Sequence, residues 1–272
     1  MPYFLMGIIA SALFELSTTL PIVQKIIKRR FLNLVVLFLI TFLFPLAKGG
    51  TIPFAHRLAK KGLPIYTVLF ILTAAPIINL FTLSNTLTAL GPGELVLARF
   101  GFAILLSIFI ALLFWSVSRS GSVPEVIYES PRFDKNFRFW PVFLNELLAD
   151  CFEWLPWFIC GCLLAALLRT FLPLSLWMNT AQNTPVQIMT AMVYSMTLSI
   201  SSTVDVFVVL NWLGKFPMAV VLAFLLSGSI VDVRGIIMMI KGFGFKTTFY
   251  WSAFVLVMTL IGCLSFQYFI NG

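Results

Sequence analysis

Residues able to do chemistry are few, and they gather in two places. The richest stretch is Ser199-Ile-Ser201-Ser202-Thr203-Val204-Asp205, four hydroxyls leading into a carboxylate. Hydroxyl and carboxylate oxygens replace part of a solute's hydration shell, and short polar side chains compete with helical hydrogen bonding. A helix break is expected there, with backbone carbonyls open to a solute. Its counterpart is Gly49-Gly50-Thr51-Ile52-Pro53, where Gly and Pro are expected to break a second helix. The other reading of Ser199–Asp205 is a loop end whose Ser and Asp cap a following helix. Asp232 and Asn79 each follow a run of small residues, Ser227-Gly228-Ser229 and Ala74-Ala75-Pro76. Asp232 is read as a proton or cation site, or as an interfacial pair with Arg234. Glu15 lies within an apolar segment and serves a proton relay or pairs with a basic residue such as Arg99.

Other chemistries find no residues. The single histidine, His56, sits beside Arg57 and Lys60 and is read as a solvated interfacial residue, since it lacks a coordination set. There is no GxxxxGK[ST] phosphate loop, and one histidine in a surface cluster cannot build a Ser/His/Asp triad. Cys151, Cys160, Cys162 and Cys263 lie in or beside apolar segments, where free thiols behave as small hydrophobes. The reading is no enzyme, no cofactor and no metal site.

The elements that must hold these residues are membrane helices. Of 272 residues, 60% are hydrophobic and 10% charged, and mean hydropathy is +1.02. Soluble domains carry about 25% charged residues, so lipid must cover most of this surface. Apolar segments are expected at 3–23, 31–47, 64–83, 95–115, 154–172, 186–203, 216–240 and 248–270. The polar stretch Ser116–Arg138 divides the chain into a first membrane repeat (1–115), a cytoplasmic linker (116–140) and a second repeat (141–272). Residues 139–153 suit an interfacial amphipathic helix, and Trp140, Trp154 and Trp157 an aromatic belt. The net charge of +8 lies in short clusters between apolar segments, a pattern of orientation signals and not of nucleic-acid binding.

An alignment suggests a duplication. Lys61–Asn79 can be laid over Gly214–Asp232, so that Pro64 meets Pro217, the small residues coincide, and Asn79 meets Asp232. Duplicated halves are a sequence trace of secondary transporters. If 31–47 and 186–203 are re-entrant, each half has three crossings of opposite orientation. The clusters at Lys25–Arg30 and Arg57–Lys61, the linker, Lys241 and Lys246 then face the cytoplasm, loops 84–93 and 170–184 face outward, and the termini lie outside.

Over roughly residues 5–265 the chain resembles the ArsP/YraQ-type predicted permeases, which include efflux proteins for organic arsenicals. The resemblance rests on Ile52-Pro53-Phe54-Ala55 through Lys61-Gly62, on Ala74-Ala75-Pro76-Ile77-Ile78-Asn79, and on Ser201-Ser202-Thr203-Val204-Asp205-Val206-Phe207. It implies a bacterial-type inner-membrane permease of two related halves, with a separately encoded second subunit in some relatives. By position, Asp205, Ser202, Asn79 and Pro76 fall on the family motifs. The family's thiol positions hold Ser201 and Gly49 here, so the thiolates that soft metals prefer are missing from them. The expected function is a secondary permease, with efflux the expected direction. Its solute would be a small ion or molecule, passed along segments broken near 49–55 and 199–205. A homo-oligomer fits the same picture. The alternatives are a membrane subunit that anchors a partner, and an uncoupled channel.

Overall fold

A computed structural model of the chain describes residues 2–17, 35–36, 38–39, 41–42, 48–119, 139–171 and 183–271; the side chains of 2, 3, 15–17, 117–119, 139 and 271 fall outside the description. The fold is all-helical among the described residues. Its elements are α1 (Pro2–Ser17), α2 (Lys48–Lys60), α3 (Ile65–Ala74), α4 (Leu80–Leu90) and α5 (Glu94–Arg119). After the linker come α6 (Phe139–Phe171), α7 (Thr184–Leu198), the short α8 (Asp205–Val209) with a 3-10 turn (Leu210–Trp212), α9 (Met218–Ile230) and α10 (Val233–Asn271).

Three runs among these residues are long and apolar enough to cross a membrane: Glu94–Ser116, Trp140–Phe171 and Met218–Ile270. At about 1.5 Å per residue, the first alone exceeds the ~30 Å hydrocarbon core. Their outer faces stay apolar while exposed, as at Leu105, Phe109 and Leu112 on α5, Phe152, Leu163 and Leu167 on α6, and Phe249, Val257 and Ile261 on α10. A row of such residues is stable only against lipid. The protein is integral to the membrane.

The centre consists of two short helices buried on all sides. Every residue of α3 from Thr67 to Ala74, and every residue of α9 from Ala219 to Ile230, is buried. A helix apolar all round belongs in a core. The α3 helix packs on α5 and α2, and α9 on α7, α10 and α5. The two helices begin alike. Pro64 caps α3 at φ −59°, ψ 142°, and Pro217 caps α9 at φ −56°, ψ 145°. Proline at the N-terminus wastes no hydrogen bond, because that N–H has no helical acceptor. They also end alike: each stops a few residues before a side-chain cap, Asn79 for α4 and Asp232 for α10. Further on, Gly91 separates α4 from α5 at φ 70°, and Gly244 breaks α10 at φ 80°. Both need the left-handed backbone that glycine adopts without cost.

Several expectations are corrected. Residues 48–60 are one helix, not a break at Gly49–Pro53. Pro53 costs that helix only its bond to the Gly49 carbonyl, and the glycines serve packing. A Cβ on Gly7 of α1 would collide with the backbone of Gly50, and one on Gly49 would press on Phe158 of α6. The presumed loop 84–93 is helical through Leu90. Residues 139–153 form no separate interfacial helix, since α6 runs unbroken through Pro156. Trp154 leaves the aromatic belt for the core, where it is 1% exposed, whereas Trp140 and Trp157 are exposed. The segment 31–47 lies largely outside the described residues.

Candidate functional site

The break expected near 199–205 is present. Ser199 ends α7 in the left-handed conformation at φ 48°, ψ 40°, and helix resumes only at Asp205. A break frees backbone carbonyls, and three of those freed here are held by side chains from elsewhere in the chain. Arg234 of α10 donates to the Ser199 carbonyl at 2.9 Å, and Asn85 of α4 to the Thr203 carbonyl at 2.7 Å. Arg99 of α5 lies 3.2 Å from the Ser202 carbonyl. The carbonyls expected to face a solute are therefore occupied by protein donors. Ser201 and Thr203 pair their own hydroxyls at 3.0 Å, while the buried Ser202 Oγ has no partner among the described residues.

Arg99 is the hub. It is fully buried, and its Nη2 donates to both oxygens of Asp205, at 2.9 and 2.8 Å. Nη1 donates to Thr86 Oγ1 of α4 at 3.0 Å, and Ser229 Oγ of α9 donates to Asp205 Oδ2 at 2.6 Å. One guanidinium thus ties together α4, α5, α8, α9 and the break, within apolar surroundings where a separated charge would be costly. Sequence had offered Glu15 as Arg99's partner; the structure gives it Asp205. Glu15 lies on α1, its side chain outside the description.

A second cluster continues along the end of α9. Asp232 is fully buried; its Oδ1 accepts the Gly235 N–H at 2.7 Å and lies 3.6 Å from Lys48 Nζ, and its Oδ2 accepts from Arg234 at 3.2 Å. In the Asp232–Arg234 pair foreseen at an interface, the carboxylate is therefore fully buried and the guanidinium half-buried. Lys48 reaches across from α2 and donates to the Gly228 carbonyl, next to Ser229 of the first cluster. Arg234 also stacks on Phe158, 5.3 Å from the ring centre. A small cavity abuts this cluster, its wall including Lys48, Thr51, Ile52, Asp232, Gly235 and Trp251.

Asn79 joins neither cluster by hydrogen bonding. Its side chain accepts the Thr82 N–H at 2.8 Å and donates to the carbonyls of Ala75 and Pro76 at 2.9 and 3.2 Å. It is a cap and brace for the gap between α3 and α4, and Pro76 contributes its carbonyl to that brace. The aligned position carries Asp232 because the demands differ: Asn79 must donate as well as accept, whereas Asp232 has only donors around it.

The third polar group lies apart. Arg57 of α2, read from sequence as one of a solvated cluster, is 8% exposed and grips Asp150 at 2.7 Å and Glu146 Oε2 at 2.7 Å, two residues one turn apart on α6. His56 beside it is half-buried, its ring packing edge-on against Trp154 and Phe243. Helix α2 is not among the long apolar runs. There burial, helped by nearby Lys60, pushes the His56 pKa down to about 4. Sequence reasoning missed Lys48, Asn85 and Thr86. Lys48 was legible as a lone cation at the edge of an apolar run, while the other two are ordinary helix residues until the fold brings them to Arg99. Among the described residues no group of His, Cys, Asp or Glu is arranged to hold a metal, and Cys160 is exposed while Cys263 is buried.

The chain is 26% identical over 268 residues to the UPF0718 protein YcgR of Bacillus subtilis (strain 168), covering 97% of this chain and 91% of the relative. It is 27% identical over 270 residues to a Streptococcus mutans serotype c (strain ATCC 700610 / UA159) protein named "Putative two-component membrane permease complex subunit", covering 97% and 90%. No solved structure matches. The profile of the ArsP_1 family, described as predicted permeases, matches residues 1–268, and with those apolar helices around a buried polar seam the chain belongs to that family of membrane permeases.

Proposed function

We propose that the protein is a secondary permease for a small solute, and that the solute passes along the polar seam from Arg99–Asp205 to Lys48–Asp232–Arg234. One observation carries this reading: two buried groups of ion-paired side chains lie in the apolar centre, linked through the Gly228–Ser229 end of α9, where packing alone would favour leucine. Buried ion pairs replaced by apolar residues are often no less stable, so their presence at the broken helices is best accounted for by function. In this reading the Ser201–Thr203 hydroxyls, Asp205 and Asp232 line the path, and the Arg99, Asn85 and Arg234 contacts to the freed carbonyls form a latch that opens during transport.

The matched starts of α3 and α9, the matched caps Asn79 and Asp232, and the matched Gly91 and Gly244 support two related halves, which we take to be inverted repeats in a bacterial-type plasma membrane with both termini outside. Efflux is the proposed direction. The relative named as a two-component complex subunit supports a second subunit for this chain also, and a homo-oligomer suits the same arrangement.

The test is flux in proteoliposomes containing the purified protein with Asp205→Asn or Asn85→Leu. Both are expected to fold, Asp205→Asn with reduced stability because Arg99 loses its carboxylate, and both to lose transport. Unchanged flux in both would remove the seam from the path. Flux from wild type that is indifferent to an imposed proton gradient would instead favour an uncoupled channel. No flux until a second subunit is added would favour the two-component arrangement.

A further inference from the structure

The charges of the seam do not balance. Lys48, Arg99 and Arg234 bring three cations, while Asp205 and Asp232 bring two carboxylates. Arg99 is spent on Asp205, at 2.8 Å, and Arg234 on Asp232, at 3.2 Å. Lys48 is left over. Its Nζ is 3.6 Å from Asp232 Oδ1, beyond hydrogen-bond distance, and among the described residues its hydrogen bond goes to the neutral Gly228 carbonyl. An ammonium has three donors, so two remain for whatever occupies the cavity that Lys48 lines.

Among the described residues the surroundings offer no other counter-charge. The ionisable groups facing Lys48 are Asp232 and Arg234 from α10 and Asp205 from α8. Helix α9 has no ionisable side chain, and α3 has only Tyr66. On α1, Gly7 abuts Gly50, which leaves Glu15 roughly two turns further along that helix. The Trp251 indole on the cavity wall spends its N–H on Thr73, at 3.2 Å. Of the three cations, only lysine can release its proton.

We propose that the cavity beside Lys48 is a site for a small anion, which binds together with a proton on Lys48. With the cavity empty the seam carries one unbalanced positive charge, and burial makes Lys48 give up its proton more readily than an exposed lysine does; with an anion bound, Lys48 holds its proton and the seam is neutral. Resting on the permease reading, this assigns the solute to the class of small anions and makes Lys48 the residue that couples it to protons. The confined cavity excludes large organic anions.

The test needs no knowledge of the natural solute. Purified protein is melted in a sodium gluconate background of fixed ionic strength, with chloride, nitrate or sulfate as probes, from pH 6 to 10. These probes keep a constant charge over that range. At least one is expected to raise the melting temperature at pH 6. Its apparent Kd is expected to rise tenfold per pH unit once Lys48 loses its proton, since binding and protonation are linked. Lys48→Arg keeps a cation that cannot deprotonate, so anion binding should persist at pH 10; Lys48→Met should abolish it throughout. The proposal is overturned if no probe stabilises wild type at pH 6, if stabilisation is equal at pH 6 and 10, or if Lys48→Met retains it. Anion binding that follows Lys48 without flux in proteoliposomes would defeat the permease reading and leave the site standing. Flux without Lys48-linked binding would do the reverse.

Discussion

Deleting Arg99 should do more damage than the length of its contact list suggests, and deleting Asp205 with it should undo much of that damage. The pair sits at 2.8 Å with both side chains 6% exposed or less. At an effective dielectric of about 20, two unit charges near 3 Å attract by roughly 5 kcal/mol, and the cost of desolvating both consumes most of that gain. Arg99→Met leaves the Asp205 carboxylate buried with the Ser229 hydroxyl as its remaining side-chain donor. Removing one partner of a buried pair costs about 3–5 kcal/mol. The Thr86 hydroxyl and the Ser202 carbonyl also lose a donor. Asp205→Leu strands a guanidinium that cannot be neutralised and should cost as much. The double variant Arg99→Met/Asp205→Leu buries no charge at this point, and its total cost should fall below either single loss, to about 1–3 kcal/mol. The assay is a double-mutant cycle on unfolding free energy in bicelles, with flux recorded beside it. A coupling energy of several kcal/mol is expected, with the double variant stable yet inactive. Additive single effects, or single losses under 1 kcal/mol, would refute the reasoning that this pair is a desolvated charge lock.

Four further outcomes are expected. Ser199→Gly should raise stability by about 0.5–1 kcal/mol, measured by denaturation, because the left-handed backbone at φ 48° penalises a side chain. Asn79→Asp should destabilise more than Asn79→Ser: the carboxylate keeps the cap to Thr82 but sets an anion against the Ala75 and Pro76 carbonyls, and the melting-temperature order checks this. Gly7→Ala should prevent or severely weaken folding, by more than about 3 kcal/mol, since its methyl would occupy the space of the Gly50 backbone; recovery of monodisperse protein on size exclusion is the readout. His56 is held neutral, with a folded pKa of about 4 against 6.5 unfolded, so the unfolded chain binds the extra proton between those values. Stability should therefore be full above pH ~6.5 and decline by up to ~2–3 kcal/mol as pH falls towards 4. His56→Phe, which keeps the ring contacts with Trp154 and Phe243, should flatten that part of the melting-temperature profile.

The sequence by itself determined that this is a helical membrane protein, because too few charges remain to face water and the apolar runs match the bilayer thickness. It also located the break at Ser199–Asp205, a local feature, since local hydrogen-bonding chemistry decides where a helix stops. The breaks before Asn79 and Asp232 lie inside the expected segments 64–83 and 216–240 and show only in the structure. The Gly49–Pro53 expectation failed for a related reason: Gly and Pro signal a break only when no neighbouring helix exploits them, and α1 packs so closely on the Gly50 backbone that glycine is required at Gly7. Partnership was decided by tertiary structure alone. Arg99 and Asp205 are far apart in the chain, as are Lys48 and Asp232, and no periodicity links them. Each charge looked like a separate liability in an apolar run until packing of α2, α5, α8, α9 and α10 brought opposite signs within reach. The same packing buried Arg57 and half-buried His56, since α6 supplies Glu146 and Asp150 to one and Trp154 to the other. Burial and pairing are properties of the assembled helices, and a low dielectric makes them decide which charges the protein can keep.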